Sequence, residues 1–283
     1  MAIDKPVALV TGASTGIGRA AARALTDAGY DVVGTSRRAA GVAPLDGVVF
    51  VDLDVADDES VARAVDWVIA RFGRIDVLVN NAGIGSAGAA EERSPAQDRD
   101  VFDVNVFGVL RMTTAVLPHM RARGGGRIIN VSSVLGLVPA PYGAVYSASK
   151  HAMEGYSESL DHEVRAHGVR VVLVEPGYTR TGFDAGITEP DNPLPAYADQ
   201  RRVADEVLTA GIRGGDDPAV VARVIVKAAT DPKPRTRYPA GSLAAQVSVL
   251  RRLAPSRLFD RQIRKVNKLA GRVPAPNQNQ ERT

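Results

Sequence analysis

The order of the apolar runs predicts an α/β chain: a doubly wound, mostly parallel sheet with helices on both faces and a helical extension at the C-terminus. Three observations carry this expectation. Through the first 180 residues, short β-branched runs alternate with longer stretches of helical period. The short runs are almost continuously apolar, as strands covered on both faces must be. A glycine-rich turn joins the first run to the first helical stretch. Parallel neighbours need right-handed crossovers, which wind helices onto both faces of the sheet.

The elements follow in order. Residues 7–11 read as a buried strand, and 17–28 as a helix ended by Gly29. Residues 31–35 and 48–51 are a second and third strand. Residues 57–72 have an acidic first turn and an apolar period of three to four, so they form a helix, and Trp67 is expected in the core. Residues 77–79 are a fourth strand, 101–120 a helix, 127–131 a fifth strand, 144–167 a helix and 169–174 a sixth strand. Past Pro176 the pattern breaks into a long loop over 178–215, with one helix near 197–211. Long ordered loops in compact domains are usually functional. Asp217-Pro218 caps and opens a helix to about Thr230. Arg237-Tyr238, between prolines, reads as an edge strand.

The expected organisation is one catalytic domain over 1–240, with the substrate loop 178–215 inside it, a basic helical extension over 241–272, and a disordered tail over 273–283. The N-terminus lacks a signal peptide's regions, and no uncharged apolar run approaches the ~18 residues of a spanning helix. Arg outnumbers Lys 29 to 6 and alanine is abundant. Together these give the expectation of a cytoplasmic, bacterial protein.

The chain has 283 residues, 35 Lys+Arg against 32 Asp+Glu, and no cysteine. The missing cysteines exclude a disulfide scaffold, a thiolate metal site and a cysteine nucleophile. The net charge of +3 is unevenly spread. Residues 1–232 sum to −7 and residues 233–272 to +10. An acidic body with one basic segment argues against a nucleic-acid partner. None of the four histidines forms a metal-spaced pair, so no metal site is expected.

The turn Thr11-Gly12-Ala13-Ser14-Thr15-Gly16-Ile17-Gly18 has the spacing GxxxGxG. Glycines let a backbone approach a ligand. The helix that follows presents free N–H groups and a positive dipole end, which suits a pyrophosphate. A strand–turn–helix of this kind at the chain start makes the fold Rossmann-type. An NAD site places an acid near the end of the second strand for the ribose 2′-hydroxyl. Here that strand ends in Ser36, Arg37 and Arg38. Arginine binds a 2′-phosphate with paired hydrogen bonds, so NADP(H) is expected over NAD(H).

Tyr146 and Lys150 are four residues apart on a predicted helix and share a face. A phenol of reference pKa near ~10 exchanges its proton poorly at neutral pH. An adjacent ammonium is expected to lower that value, giving a general acid/base for alcohol–carbonyl interconversion. Ser133 lies just past the carboxyl end of the fifth strand, where ligands sit in such sheets. Its hydroxyl can hold a substrate oxygen.

Thr11–Gly18, Asn80-Asn81-Ala82-Gly83, Asn105, Ser132-Ser133, Tyr146/Lys150 and Pro176-Gly177 occur in one order and spacing. In this the chain resembles the short-chain dehydrogenase/reductase family, single-domain branch, over roughly residues 5–182. It looks most similar to hydroxysteroid and retinol dehydrogenase-like members. The resemblance implies that Tyr146 is the general acid/base, that Lys150 also binds the nicotinamide ribose, and that Ser133 orients the carbonyl. It implies that Asn105 holds a water in a proton relay. It places Asp54 and Val55 by the adenine, and lines the cofactor groove with Asn81, Ala82 and Gly83. Pro176, Gly177, Thr179 and Thr181 would hold the nicotinamide end. It also implies a homodimer or homotetramer.

The expected reaction is NADP(H)-dependent interconversion of a carbonyl and an alcohol on a lipophilic small molecule. The substrate residues are Ser133, Leu135, Tyr142, Tyr178 and Phe183, with Val138, Pro139, Ile187, Leu194 and Tyr197 as further lining. Apolar linings favour a lipophilic ligand over a sugar. A ketoacyl-type reductase of the same family and a non-catalytic dinucleotide sensor or scaffold are the alternatives. In the basic segment, Phe259, Ile263, Val266 and Ala270 fall on one helical face and Arg261, Arg264, Lys265 and Lys268 on the other. Such a helix can dock on the body, join subunits, or, through 255–272, touch an anionic membrane surface.

Overall fold

The computed structural model describes residues 5–269. Seven parallel strands form one sheet: β1 Val7–Val10, β2 Asp31–Ser36, β3 Val48–Asp52, β4 Val77–Asn80, β5 Gly126–Val131, β6 Val169–Pro176 and β7 Arg237–Ala240. Their spatial order is β3-β2-β1-β4-β5-β6-β7, and every pairing is parallel. The winding reverses between β1 and β4, which opens a crevice beyond their carboxyl ends. The helices are α1 Gly16–Asp27, α2 Asp58–Phe72, α3 Pro95–Ala122, α4 Ala144–Val164, α5 Ala198–Arg213, α6 Pro218–Thr230, α7 Ser242–Leu253 and α8 Ser256–Val266.

Alternation along each strand makes two cores. Leu9, Leu78 and Ile128 point to one face, where Met112, Val116 and Met120 of α3 cover them. Val10, Val79 and Ile129 point to the other, against Leu25 of α1 and Ile225 of α6. The strands and most helices fall where the apolar pattern puts them. The Asp217 side chain accepts from the Ala219 N–H at 2.9 Å and caps α6 as expected.

Three elements differ from expectation. The helix expected at 101 begins at Pro95, because Ser94 caps it and accepts from the Gln97 N–H at 3.3 Å. Inside it, Asp103–Phe107 widens into a π-turn. By length and composition α3 could cross a bilayer, which the run-length criterion missed. Its fully buried Met112, Val116 and Met120 mark it as a core helix in this fold. Trp67, expected in the core, is 39% exposed. The buried stripe of α2 is Val61, Ala64, Val65 and Val68, and position 67 lies off that stripe. Finally, a two-residue parallel ribbon, Gly85–Ser86 with Ile187–Thr188, ties the loop after β4 to the long loop after β6. The tail 273–283, and Ala270 with the end of the 255–272 segment, lie outside the described residues.

Two substitutions separate the core from its surface. Leu78→Ala should cost ~2–5 kcal/mol, the range for an aliphatic side chain removed from a packed interior. Trp67→Ala should cost no more than ~1.5 kcal/mol, since the side chain is exposed and meets the Phe72 ring edge-on at 6.3 Å. Urea unfolding of both variants checks the pair. Equal losses would contradict the placement of Trp67.

Candidate active site

The turn after β1 is held against the segment after β4. The Asn81 and Ala82 N–H groups donate to Thr11 Oγ1 at 2.9 and 3.0 Å. Asn81 Nδ2 donates back to the carbonyls of Thr11 and Gly12 at 3.0 and 3.2 Å. Gly18 allows this approach, because a Cβ there would collide with the Gly12 carbonyl oxygen. Gly12 and Gly16 take left-handed φ values of 62° and 54°. Thr15 precedes α1 without a side-chain cap, and the first turn of α1 carries no acid. The N–H groups of this helix end are therefore unclaimed by a protein carboxylate and suit an anion.

A cleft of about 1340 Å³ runs from this turn across the carboxyl edge of the sheet. Gly12, Ser14, Thr15, Gly16, Ile17, Ser36, Arg37, Asp54, Val55, Asn81, Ala82 and Gly83 line one end. Pro176, Gly177, Thr179 and Thr181 line the middle. Gly18 lies beneath the surface as part of the turn itself. Arg38 does not line the cleft. Its backbone N–H turns back to Ser36 Oγ at 3.4 Å, leaving Arg37 as the arginine of the cofactor end. The loop glycines, open helix end and Arg37 together fit a phosphate-bearing dinucleotide.

Ser133, Tyr146 and Lys150 meet in the cleft. Ser133 Oγ accepts from the Leu135 N–H at 3.1 Å and lies within hydrogen-bond reach of the Tyr146 phenol. Lys150 is buried and donates from Nζ to the Val131 carbonyl at 3.0 Å. It lies 5.6 Å from the centre of the Tyr146 ring. Burial pushes the Tyr146 phenol up to about 12, and a hydrogen bond with Ser133 only partly offsets this. The expected lowering by the ammonium does not prevail here, because desolvation dominates. Burial pushes Lys150 down to about 8, with the Glu154 charge pulling it back up. At neutral pH Tyr146 is thus a neutral phenol able to give a proton.

Asn105 sits in the π-turn and is 1% exposed. Its amide bonds both the N–H and the carbonyl of Ile84 at 2.9 Å, and donates to Ser149 Oγ at 3.1 Å. The side chain pins the segment after β4 to α3 and α4.

The substrate end departs further from expectation. Leu135, Val138, Pro139, Tyr178 and Phe183 line the cleft, and the Phe183 ring lies 5.9 Å from that of Tyr146. Tyr142 does not line it. Its φ is 62° and its ring meets Tyr197 edge-on at 6.5 Å. Ile187, Leu194 and Tyr197 are likewise outside, since the ribbon and the Glu91 and Glu92 contacts hold that loop away from the cleft. The roof was missed as substrate lining: Leu243, Val247, Leu250 and Leu253 of α7, and Phe259, Ile263 and Val266 of α8. The signal was present in the apolar stripe 259–263–266. Its partner is the cleft, which fits the docked-helix alternative.

A family model for short chain dehydrogenases matches residues 6–192. The chain is 38% identical to a 3-ketodihydrosphingosine reductase of Bacteroides thetaiotaomicron over 84% of its length and 88% of the relative's. It is 36% identical to retinol dehydrogenase 8 of Bos taurus over 88% of its length and 85% of the relative's. A solved short-chain dehydrogenase from Streptomyces avermitilis superposes with a TM-score of 0.81 at 37% identity, covering 95% of this chain and 99% of that one. Related Burkholderia structures at 28% and 29% identity, each with a TM-score of 0.74, hold NADP (92% of this chain, 98% of that one) and NAD (89% and 93%). A nicotinamide dinucleotide is thus the cofactor class. The chain is an oxidoreductase acting on alcohol and carbonyl groups, and it belongs to the short-chain dehydrogenase family.

Proposed function

We propose that this chain interconverts a carbonyl and an alcohol on a lipophilic small molecule, with NADP(H) as the preferred cofactor and Tyr146 as general acid/base. The observation that carries this is the continuity of the cleft. It leads from Ser133 and Tyr146 past Phe183 to the apolar faces of α7 and α8. A sugar's hydroxyls would go unpaired against such walls, whereas an apolar body gains from burial there. The names of the sphingosine-type reductase and the retinol dehydrogenase agree with an apolar substrate. Arg37 at the cofactor end, with Ser36 where an NAD site would carry an acid, supports the 2′-phosphate.

Gly12, Ser14, Thr15, Gly16 and Ile17 would hold the pyrophosphate, and Lys150 the nicotinamide ribose. When bound, the dinucleotide supplies or accepts the hydride. The chain's own residues do the rest. Ser133 and Tyr146 both donate to the carbonyl oxygen and polarise it. Tyr146 then gives its phenolic proton to that oxygen as negative charge develops. The Lys150 ammonium steadies the phenolate that remains. Phe183 and the apolar faces of α7 and α8 would pack against the body of the substrate.

Assays of NADPH oxidation with lipophilic ketones and aldehydes test the substrate class. Turnover of polyols or sugars with none of lipophilic carbonyls would overturn it. Tyr146→Phe should lower kcat by ~10²–10⁴-fold, the usual worth of a positioned acid, while NADPH affinity measured by fluorescence stays near wild type. Arg37→Glu should cut the NADPH-to-NADH ratio of kcat/KM by at least ~10-fold, as expected for loss of a charge-assisted hydrogen bond. A wild-type preference for NADH would defeat the cofactor assignment.

A further inference from the structure

Beneath the catalytic pair lies a set of buried charges that the proposed reaction leaves unassigned. Glu154 follows Lys150 by one turn on the same face of α4. It is 2% exposed. Its Oε1 accepts from the hydroxyl of Ser132, the neighbour of Ser133, at 2.6 Å. Its Oε2 pairs with Arg237 of β7. Arg237 also pairs with Glu175, the residue before Pro176, and donates from Nε to Glu158 Oε1 at 2.8 Å. A side chain at Gly136 would collide with Glu154 Oε1, so that glycine lets the Ser133 loop close over the cluster.

The buried carboxyls are Glu154 and Glu175, facing Arg237 and Lys150; the Glu158 side chain is 45% exposed, and Arg252 of α7 acts on Glu175 from outside. A buried carboxylate oxygen without a partner is costly, and Glu175 is the carboxyl that carries one. It is fully buried, and its Oε2 has no hydrogen-bond partner among the described residues. Burial and the Glu154 charge push it up to about 7. Both oxygens of Glu154, by contrast, are partnered, one by Ser132 and the other by Arg237.

We infer that Glu154 is a positioning residue for the catalytic pair: its carboxylate, one turn beyond Lys150 and braced by Ser132 and Arg237, holds the charge on Lys150. This rests on the assignment of Lys150 under the proposed function. It adds that the catalytic lysine is set from below by a carboxylate which touches neither substrate nor cofactor. Ser132 and Gly136 tie the same carboxylate to the loop that carries Ser133.

The chain has six lysines, so lysine 13Cε NMR of the whole protein can follow each one, with Lys150→Arg assigning the signal. In the wild type, Lys150 should titrate near pH 8. In Glu154→Gln, which keeps an acceptor for Ser132, the midpoint should fall by at least about one pH unit, a tenfold loss of proton affinity. Should that variant not fold, Glu154→Asp keeps the charge one methylene back and should give an intermediate midpoint. An unchanged midpoint in either folded variant overturns the inference, even if the melting temperature drops. The alkaline limb of the kcat profile should move with the lysine midpoint. A shifted midpoint without turnover of any lipophilic carbonyl sinks the substrate reading and leaves the role of Glu154 standing.

Discussion

The close approach of two backbone segments at the carboxyl ends of β1 and β4 is the constraint on which the rest of the site depends. Thr11 accepts from two N–H groups of the second segment, and Asn81 donates to two carbonyls of the first. Gly18 makes room, and Gly12 and Gly16 supply the left-handed turns. This clamp fixes the entry of α1, and so aims its N-terminal N–H groups into the crevice. It also fixes the strand after which Asn81, Ala82 and Gly83 line the groove. Asn105 extends the clamp through Ile84 to the helix that bears Tyr146 and Lys150. Cofactor end and catalytic end are thereby held in one rigid frame.

The same frame explains the electrostatics. A phenol and an ammonium placed side by side in water would help one another ionise. Desolvated in the cleft, each instead moves toward its neutral form. Desolvation outweighs their mutual attraction because the cleft walls are apolar. The result is a proton donor that keeps its proton until negative charge develops beside it. The acidic and basic halves of the chain find their places here as well. The basic segment supplies Arg237 to the buried carboxylates and Arg251, with its guanidinium 5.0 Å from the Phe259 ring, to the roof.

Much of this was legible in the sequence, because strands buried on both faces leave little room for ambiguity. The apolar runs located the strands, and the glycine spacing located the phosphate turn. Spacing alone marks Ser133, Tyr146 and Lys150, and the structure brings them together. What escaped depends on tertiary cover. Periodicity shows which face of a helix is apolar but not what lies against it. The stripe Phe259–Ile263–Val266 therefore could not announce the cleft, and Trp67 could not announce solvent. Tyr142 follows Ser133 in a mostly apolar stretch, yet its left-handed φ turns it toward Tyr197. The π-turn at Asn105 has no compositional signature. Arg37 and Arg38 are equivalent in sequence, and only the turn after β2 separates the one that faces the groove.

The most direct test of the account is a crystal structure of the chain with NADPH. The account predicts the pyrophosphate on the N-terminus of α1, the 2′-phosphate against Arg37, and the nicotinamide ribose on Lys150, with the reactive ring face open toward Tyr146 and Ser133. A dinucleotide lying the other way round, or a 2′-phosphate in solvent with Arg37 turned from it, would contradict it.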